Sequence, residues 1–276
     1  MNETCNFPFG QVLQKVEQKE RGPKKAFVLG VYASAVHARW VDKEGKQKVA
    51  ALAVASEPQI FWRGENAKEI ISKIVIDEQL GKLEVPTNPL LNGPSGRALD
   101  KMFLKPLGLD RSSTWLCDLL SESRVNEKQR AAIDKHYSDE IIKKFGLPPA
   151  TIRDFKKEEL KVNSKLRCEE ILEELETSQA ETLILLGDLP IYWFLRFHDK
   201  RYSKLAQFVE KDNVYGNPHE IRINSKMYNV IPLCHLRQAA RLGSSSERWG
   251  NLHGEWIKKK LSDYKEVKDI GESIVF

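Results

Sequence analysis

The stretch AFVLGVY, residues 26–32, decides how the rest of the chain is read. It is uncharged, contains one glycine, and is too short for a buried helix. Apolar runs of this length belong to strands covered on both faces. Such a strand needs helices above and below it, and the neighbouring segments are expected to supply them. KQKVAALAVAS (46–56) and ETLILLG (181–187) have the same character, and STWLCDLL (113–120) reads as a further strand with an aromatic start. Helical periodicity is clearest in SGRALDKMFLKPLG (95–108), NEKQRAAIDKHYSDEIIKKFG (126–146) and KLRCEEILEELETSQ (165–179), and the polar residues 11–25 are helix-prone. Strands therefore alternate with helices. That alternation predicts an α/β fold, a three-layer sandwich with a mostly parallel central sheet flanked by helices, whose ligands sit beyond the carboxyl ends of the strands.

Residues 147–164, LPPATIRDFKKEELKVNS, are the most linker-like stretch, but apolar strands flank them. A single domain over 1–276 is expected, with a helical insertion around 120–165. There is no internal repeat and no low-complexity tract.

The chain has 276 residues, of which 30% are charged and 41% hydrophobic, enough for a sizeable core without disulfides or metal. No window approaches the roughly 18 uncharged apolar residues of a membrane span, and MNETCNFPFGQVLQKVEQ lacks the basic start and apolar block of a signal peptide. A cytoplasmic protein with no membrane partner is expected. Cys5, Cys117, Cys168 and Cys234 are far apart and form no C-x-x-C pair, so neither a zinc ribbon nor a disulfide framework is signalled. No metal, iron–sulfur cluster or other cofactor is expected. The net charge of +5 and pI near 8.8 suit a polyanionic partner without requiring one.

Three strand ends and one helix start carry chemistry. LGVYASAVHARW (29–40) offers Gly30 for tight geometry, then Tyr32, Ser34 and His37, but neither G-x-G-x-x-G nor G-K-[ST]. An ordinary loop between strands explains it better than a phosphate or base cradle does. In NPLLNGPSGRALDKM (88–102), Ser95 or Gly96 could turn free N–H groups toward an anion, or Pro94 and Ser95 could simply start a helix. WLCDLLSES (115–123) sets Asp118 in an apolar neighbourhood, where a carboxylate must find partners or shift its pKa upward. YNVIPLCHLRQAARLG (228–243) ends an apolar run at His235, followed by Arg237, Arg241, Arg248, Trp249, His253, Trp256 and Lys258–Lys260. Basic and aromatic residues so interleaved make a DNA-facing surface, or an amphipathic terminal helix with its tryptophans inward. There is no H-E-x-x-H and no G-x-S-x-G.

In their order along the chain, four stretches resemble the uracil-DNA glycosylase superfamily. FVLGVYAS resembles the strand and loop of its first catalytic motif, and LNGPSGRALDKMF its glycine-containing segment and following helix. TLILLGDLPIYWFL is similar to the strand–glycine–helix unit before the last motif, and VIPLCHLRQAARL to the strand and histidine loop of that motif. The resemblance spans roughly residues 26–260 through short, degenerate motifs.

It implies a monomeric DNA-repair enzyme that flips a damaged or deaminated base, uracil or a relative, out of DNA and hydrolyses its N-glycosidic bond. His235 would hydrogen-bond the base as charge develops on it, Leu236 would wedge into the vacated space, and Arg237 and Arg241 would hold the minor-groove loop. Leu91 stands near the place of a base-stacking phenylalanine, with Asn92 beside it. The sequence also departs from the pattern. The first motif usually carries Asp, Glu or Asn to orient water, where this chain has Tyr32 and Ser34, with His37 as a possible substitute. Asp118 falls where many members have a base-reading asparagine, and an ionised carboxylate only accepts. Either the base carries an exocyclic amino group, or Asp118 is protonated, or Asp118 is a displaced catalytic carboxylate, or the alignment is off. The alternative function is an inactive nucleic-acid or nucleotide-binding module on the same fold; a hydrolase of free nucleosides is a third.

Overall fold

The structure is a computed structural model that describes residues 5–162, 164–209, 214–241 and 247–272. In chain order the elements are β1 (Ala26–Tyr32), β2 (Ala35–Val41), β3 (Gln47–Ser56), α1 (Ala67–Ser72), β4 (Lys82–Glu84), α2 (Pro94–Ala98), β5 (Thr114–Leu120), α3 (Glu127–His136), α4 (Asp139–Phe145), α5 (Lys157–Val162), α6 (Ser164–Ser178), β6 (Thr182–Leu186), α7 (Asp188–Pro190), α8 (Arg196–His198), β7 (His219–Ile223), β8 (Lys226–Leu233), α9 (Leu236–Ala239) and α10 (Glu247–Glu272). Short 3-10 and π turns link several of them, including a π turn over Leu99–Leu104 that prolongs α2. No helix among the described residues is long and apolar enough to cross a membrane.

The chain divides into two compact units. One, formed by Glu20–Val31, Arg97–Leu119 and Ser164–Phe276, holds a five-stranded sheet in the order β5-β1-β6-β8-β7, flanked by helices. β1 pairs parallel with β6, Phe27 opposite Leu183, and β6 pairs parallel with β8, Ile184 opposite Ile231. The Ser113 carbonyl accepts from the N–H groups of Lys25 and Ala26, so β5 and β1 start together and run the same way. β7 folds back antiparallel on β8 through a turn in which Asn224 has φ 52°. β5 is buried along its whole length, and the described core of β1 likewise, which is why both read as unbroken apolar runs. α6 lies along one face, its Glu174 accepting from Trp115 Nε1 at 2.9 Å while Phe27 stacks on Trp115. This is the α/β architecture with a mostly parallel sheet that the alternation implied.

The second unit, Met1–Lys19, Tyr32–Gly96 and Leu120–Asn163, holds a separate three-stranded antiparallel sheet in the order β3-β2-β4. The apolar run at 46–56, grouped by its character with the parallel strands, is here β3, paired antiparallel with β2. The reason is chain length. Residues 42–46 form a tight turn, with Gly45 at φ 83° and Asp42 Oδ1 accepting from Lys46 N–H, and no crossover helix fits between parallel strands so close in sequence. Phe9, Trp40, Leu52, Trp62, Ile71, Ile133, Tyr137 and Ile152 share its core.

Three local expectations change. Residues 11–25 form no helix. Their backbone groups bond elsewhere, Val16 N–H to Ser121 O and Lys15 in a bridge with Glu122, and Gly22 at φ 135° ahead of Pro23 breaks any regular run. The stretch 126–146 is two helices. The break falls at Tyr137, whose buried ring carries a hydroxyl that accepts from Phe9 N–H and donates to the Pro148 carbonyl. The linker-like stretch from residue 147 is packed rather than free where Ile152 is buried and Phe155 stacks on Tyr32 at 4.7 Å.

Candidate functional site

Because β5, β1, β6 and β8 run the same way, their carboxyl ends share one edge of the parallel sheet. At or near that edge, in spatial order, stand Asp118, Gly30, Gly187 and His235, the edge at which open α/β sheets bind ligands.

His235 leaves β8 with extended backbone, φ −63° and ψ 146°, and caps α9. The cap is reciprocal: Arg237 N–H donates to His235 Nδ1 at 3.3 Å, and His235 N–H donates to Gln238 Oε1 at 3.1 Å. A ring nitrogen that accepts carries no proton, so the proton of the neutral imidazole sits on Nε2. Burial, and secondarily the Arg237 charge, hold its pKa down at about 4. At neutral pH His235 is therefore an uncharged Nε2–H donor, with no acceptor for that proton among the described residues. It begins a helix and at once leaves its Nε2–H unpaired among the described residues.

The seat beneath it is Gly187, where β6 ends. Gly187 N–H donates to the Leu233 carbonyl at 2.8 Å, its φ is 90°, and a β-carbon there would lie 3.1 Å from that of His235. Only glycine takes this backbone without strain so close to the histidine.

Asp118 is 1% exposed, and neither carboxylate oxygen has a hydrogen-bond partner among the described residues. Desolvation raises its pKa well above the ordinary carboxylate value; Arg167 opposes the shift and Glu174 adds to it. Arg167 Nη2 donates to the Asp118 carbonyl and to Cys117 Sγ, not to the carboxylate. Side chains alternate along a strand. Three positions beyond the stacked Phe27–Trp115 pair, Gly30 and Asp118 thus fall on the face opposite α6, a residue without a side chain beside an unpartnered carboxyl. Protonated, that carboxyl both donates and accepts, as an amide does.

Of the other residues expected in the last motif, Leu236 departs furthest from its expected place. Leu236, expected as a protruding wedge, is 2% exposed and anchors α9 in the core. Arg237 is exposed, whereas Arg241, at φ 52°, donates through Nη2 to Asn251 Oδ1. His253 and Trp256 of α10 are buried while Lys258 and Lys259 face solvent, so those two rings pack inward; Trp249 is partly buried, with the exposed Arg248 guanidinium 5.1 Å from its ring.

Tyr32, Ser34, His37, Leu91, Asn92 and Ser95 belong to the antiparallel unit. The stretch read as a loop through residue 40 is a loop only at 33–34; His37 lies within β2 and is buried. At the bulge where the β2–β3 register slips, the Asn92 side chain does what a partner strand would, Oδ1 accepting from His37 N–H at 2.8 Å and Nδ2 donating to His37 O at 2.9 Å. Gln129, the third helical residue of α3 and held by Asn126, donates to His37 Nε2. Burial lowers the His37 pKa to about 4 against the Leu91 backbone and Asn92. Gly93, at φ 67°, and Gly96 press against the backbone of 61–64, where β-carbons would come within 2.0 Å of Arg63 and 2.1 Å of Phe61. The NGPSG run is thus shaped by close backbone packing, with Asn92 committed to His37, Leu91 partly exposed and Ser95 one residue into the short α2. Tyr32 is stacked on Phe155, and Ser34 is half-buried.

Sequence reasoning placed Gly187 in a strand–glycine–helix unit without giving it a site role, and it missed Gln238, although the H-x-x-Q spacing was legible. The chain matches no family model, and no curated protein matches it significantly.

Proposed function

We propose that this chain is a DNA glycosylase, a cytoplasmic monomer that hydrolyses the N-glycosidic bond of a deaminated base flipped out of DNA. The observation that carries the reading is the neutral His235, its Nε2–H unpaired among the described residues and its ring fixed by the α9 cap and Gly187. As the bond to the sugar lengthens, negative charge gathers on the departing base. A preorganised neutral donor aimed at a carbonyl oxygen of that base stabilises the charge without itself losing a proton. Asp118, whose protonated form burial favours, would in that form offer O–H and C=O to an edge that pairs a carbonyl with an adjacent N–H, the pattern of uracil, hypoxanthine and xanthine. Arg237 supplies an exposed cation for phosphate.

One observation favours the second reading, a binding module that does not cleave. Tyr32 and Ser34 stand where a water-activating carboxylate or amide is expected, and Tyr32 packs against Phe155. A phenol is a poor base at neutral pH. Incubation of the protein with single- and double-stranded oligonucleotides containing uracil, hypoxanthine or xanthine separates the two. Abasic sites are expected with at least one of them; salt-sensitive DNA binding without abasic sites from any would establish the binding module instead.

A further inference from the structure

The backbone just ahead of His235 is held by side chains far from it in sequence. Cys234 N–H donates to Tyr215 Oη at 2.8 Å, Tyr215 Oη lies 2.8 Å from His253 Nδ1, and His253 Nε2 lies 3.0 Å from the Met102 carbonyl. A carbonyl only accepts, so Nε2 carries the proton and Nδ1 is bare. Nδ1 must then accept from the Tyr215 hydroxyl, and every donor in this relay has its acceptor. The His253 imidazole is 0% exposed and packs against the rings of Phe103 at 4.3 Å and Trp256 at 5.1 Å. Gly216 lets the Tyr215 turn close on Trp256, where a β-carbon would lie 2.4 Å from the indole nitrogen.

We infer that Tyr215 and His253 are positioning residues for His235: the relay from Met102 through His253 and Tyr215 fixes the Cys234 backbone, and with it the direction in which the His235 ring points. This rests on His235 being the reacting group of the proposed glycosylase. The relay clamps the loop from α10 while Gly187 clamps it from β6. Neither Tyr215 nor His253 needs to touch the substrate.

The test combines histidine-ring nitrogen NMR with kinetics on a uracil-containing duplex, using the full chain, Tyr215→Phe, His253→Leu and His253→Gln. Glutamine can still donate to Met102 and accept from Tyr215. In the unsubstituted protein His253 should appear as a neutral Nε2–H ring. Tyr215→Phe and His253→Leu should shift the His235 ring signals and lower kcat about tenfold to hundredfold, with KM within about twofold, as small misplacements of a reacting group do. His253→Gln should lie between. A His253 ring protonated on Nδ1, or folded Tyr215→Phe with unmoved His235 signals, overturns the inference. The spectra need no substrate. An inactive unsubstituted protein would thus refute the glycosylase reading and leave the relay to be judged by the ring signals alone.

Discussion

A β-carbon on Gly187 would stand 3.1 Å from the β-carbon of His235, in a backbone conformation (φ 90°) that side chains rarely adopt. Gly187→Ala must therefore strain β6 or displace the histidine. A loss of about 1–3 kcal/mol is expected from the backbone term, together with a fall in turnover larger than any change in DNA affinity. Thermal unfolding and single-turnover rates check both, and an alanine variant with unchanged melting would show that the contact is not tight.

Asp118 sets the second prediction through the sign of its shift. Its folded pKa lies above the unfolded value, so the stability it contributes is complete below the unfolded pKa and is lost as pH rises through the folded one. Asp118→Asn keeps a donor and an acceptor and carries no charge. It should melt higher than the unsubstituted protein, by a margin that widens as pH rises above the unfolded carboxyl's pKa, and should keep uracil excision where Asp118→Ala loses it. A margin that narrows with pH would contradict the buried, protonated carboxyl.

The buried histidines act in the opposite direction. His37 and His253 have folded pKa values near 4, below the ordinary 6.5, so their stabilisation is full above pH 6.5 and is lost as pH falls through 4. Each contributes up to about 3 kcal/mol of this loss; the half-buried His235 contributes less. Urea unfolding across that window should show the decline, and His253→Gln should flatten part of it. A flat profile would mean that the rings are solvated.

Asn92 serves the antiparallel unit, pairing both backbone groups of the buried His37. Asn92→Asp is nearly isosteric but cannot donate, so a carboxylate oxygen would face the His37 carbonyl. A loss of about 2 kcal/mol or more is expected from the unpaired buried groups, read as a lower urea midpoint. An unchanged midpoint would remove Asn92 from its structural role and return it to the list of ligand-binding candidates.

The parallel sheet was legible because fully buried strands leave unbroken apolar runs, and AFVLGVY, TLILL and the end of β8 show them plainly. The antiparallel sheet was not, since β3 has the same apolar character and only the short turn at 42–46 excludes a crossover. At the candidate site, His235 and Asp118 stood out through their chemistry at strand ends. Gln238 carried a local signal that spacing could have exposed. Tyr215 and His253 carried none, because a relay spanning Met102, Tyr215, Cys234 and His253 exists only once the chain is folded. The NGPSG run misled in the other direction: its glycines answer to the backbone of 61–64 rather than to an anion.

The measurement that bears most directly on the central claim is the single-turnover release of uracil from a duplex by the unsubstituted protein and by His235→Ala. Loss of one preorganised donor to a developing anion should slow the variant about 100-fold to 1,000-fold, with DNA binding retained. Equal rates, or no abasic product from the unsubstituted protein, would contradict the account.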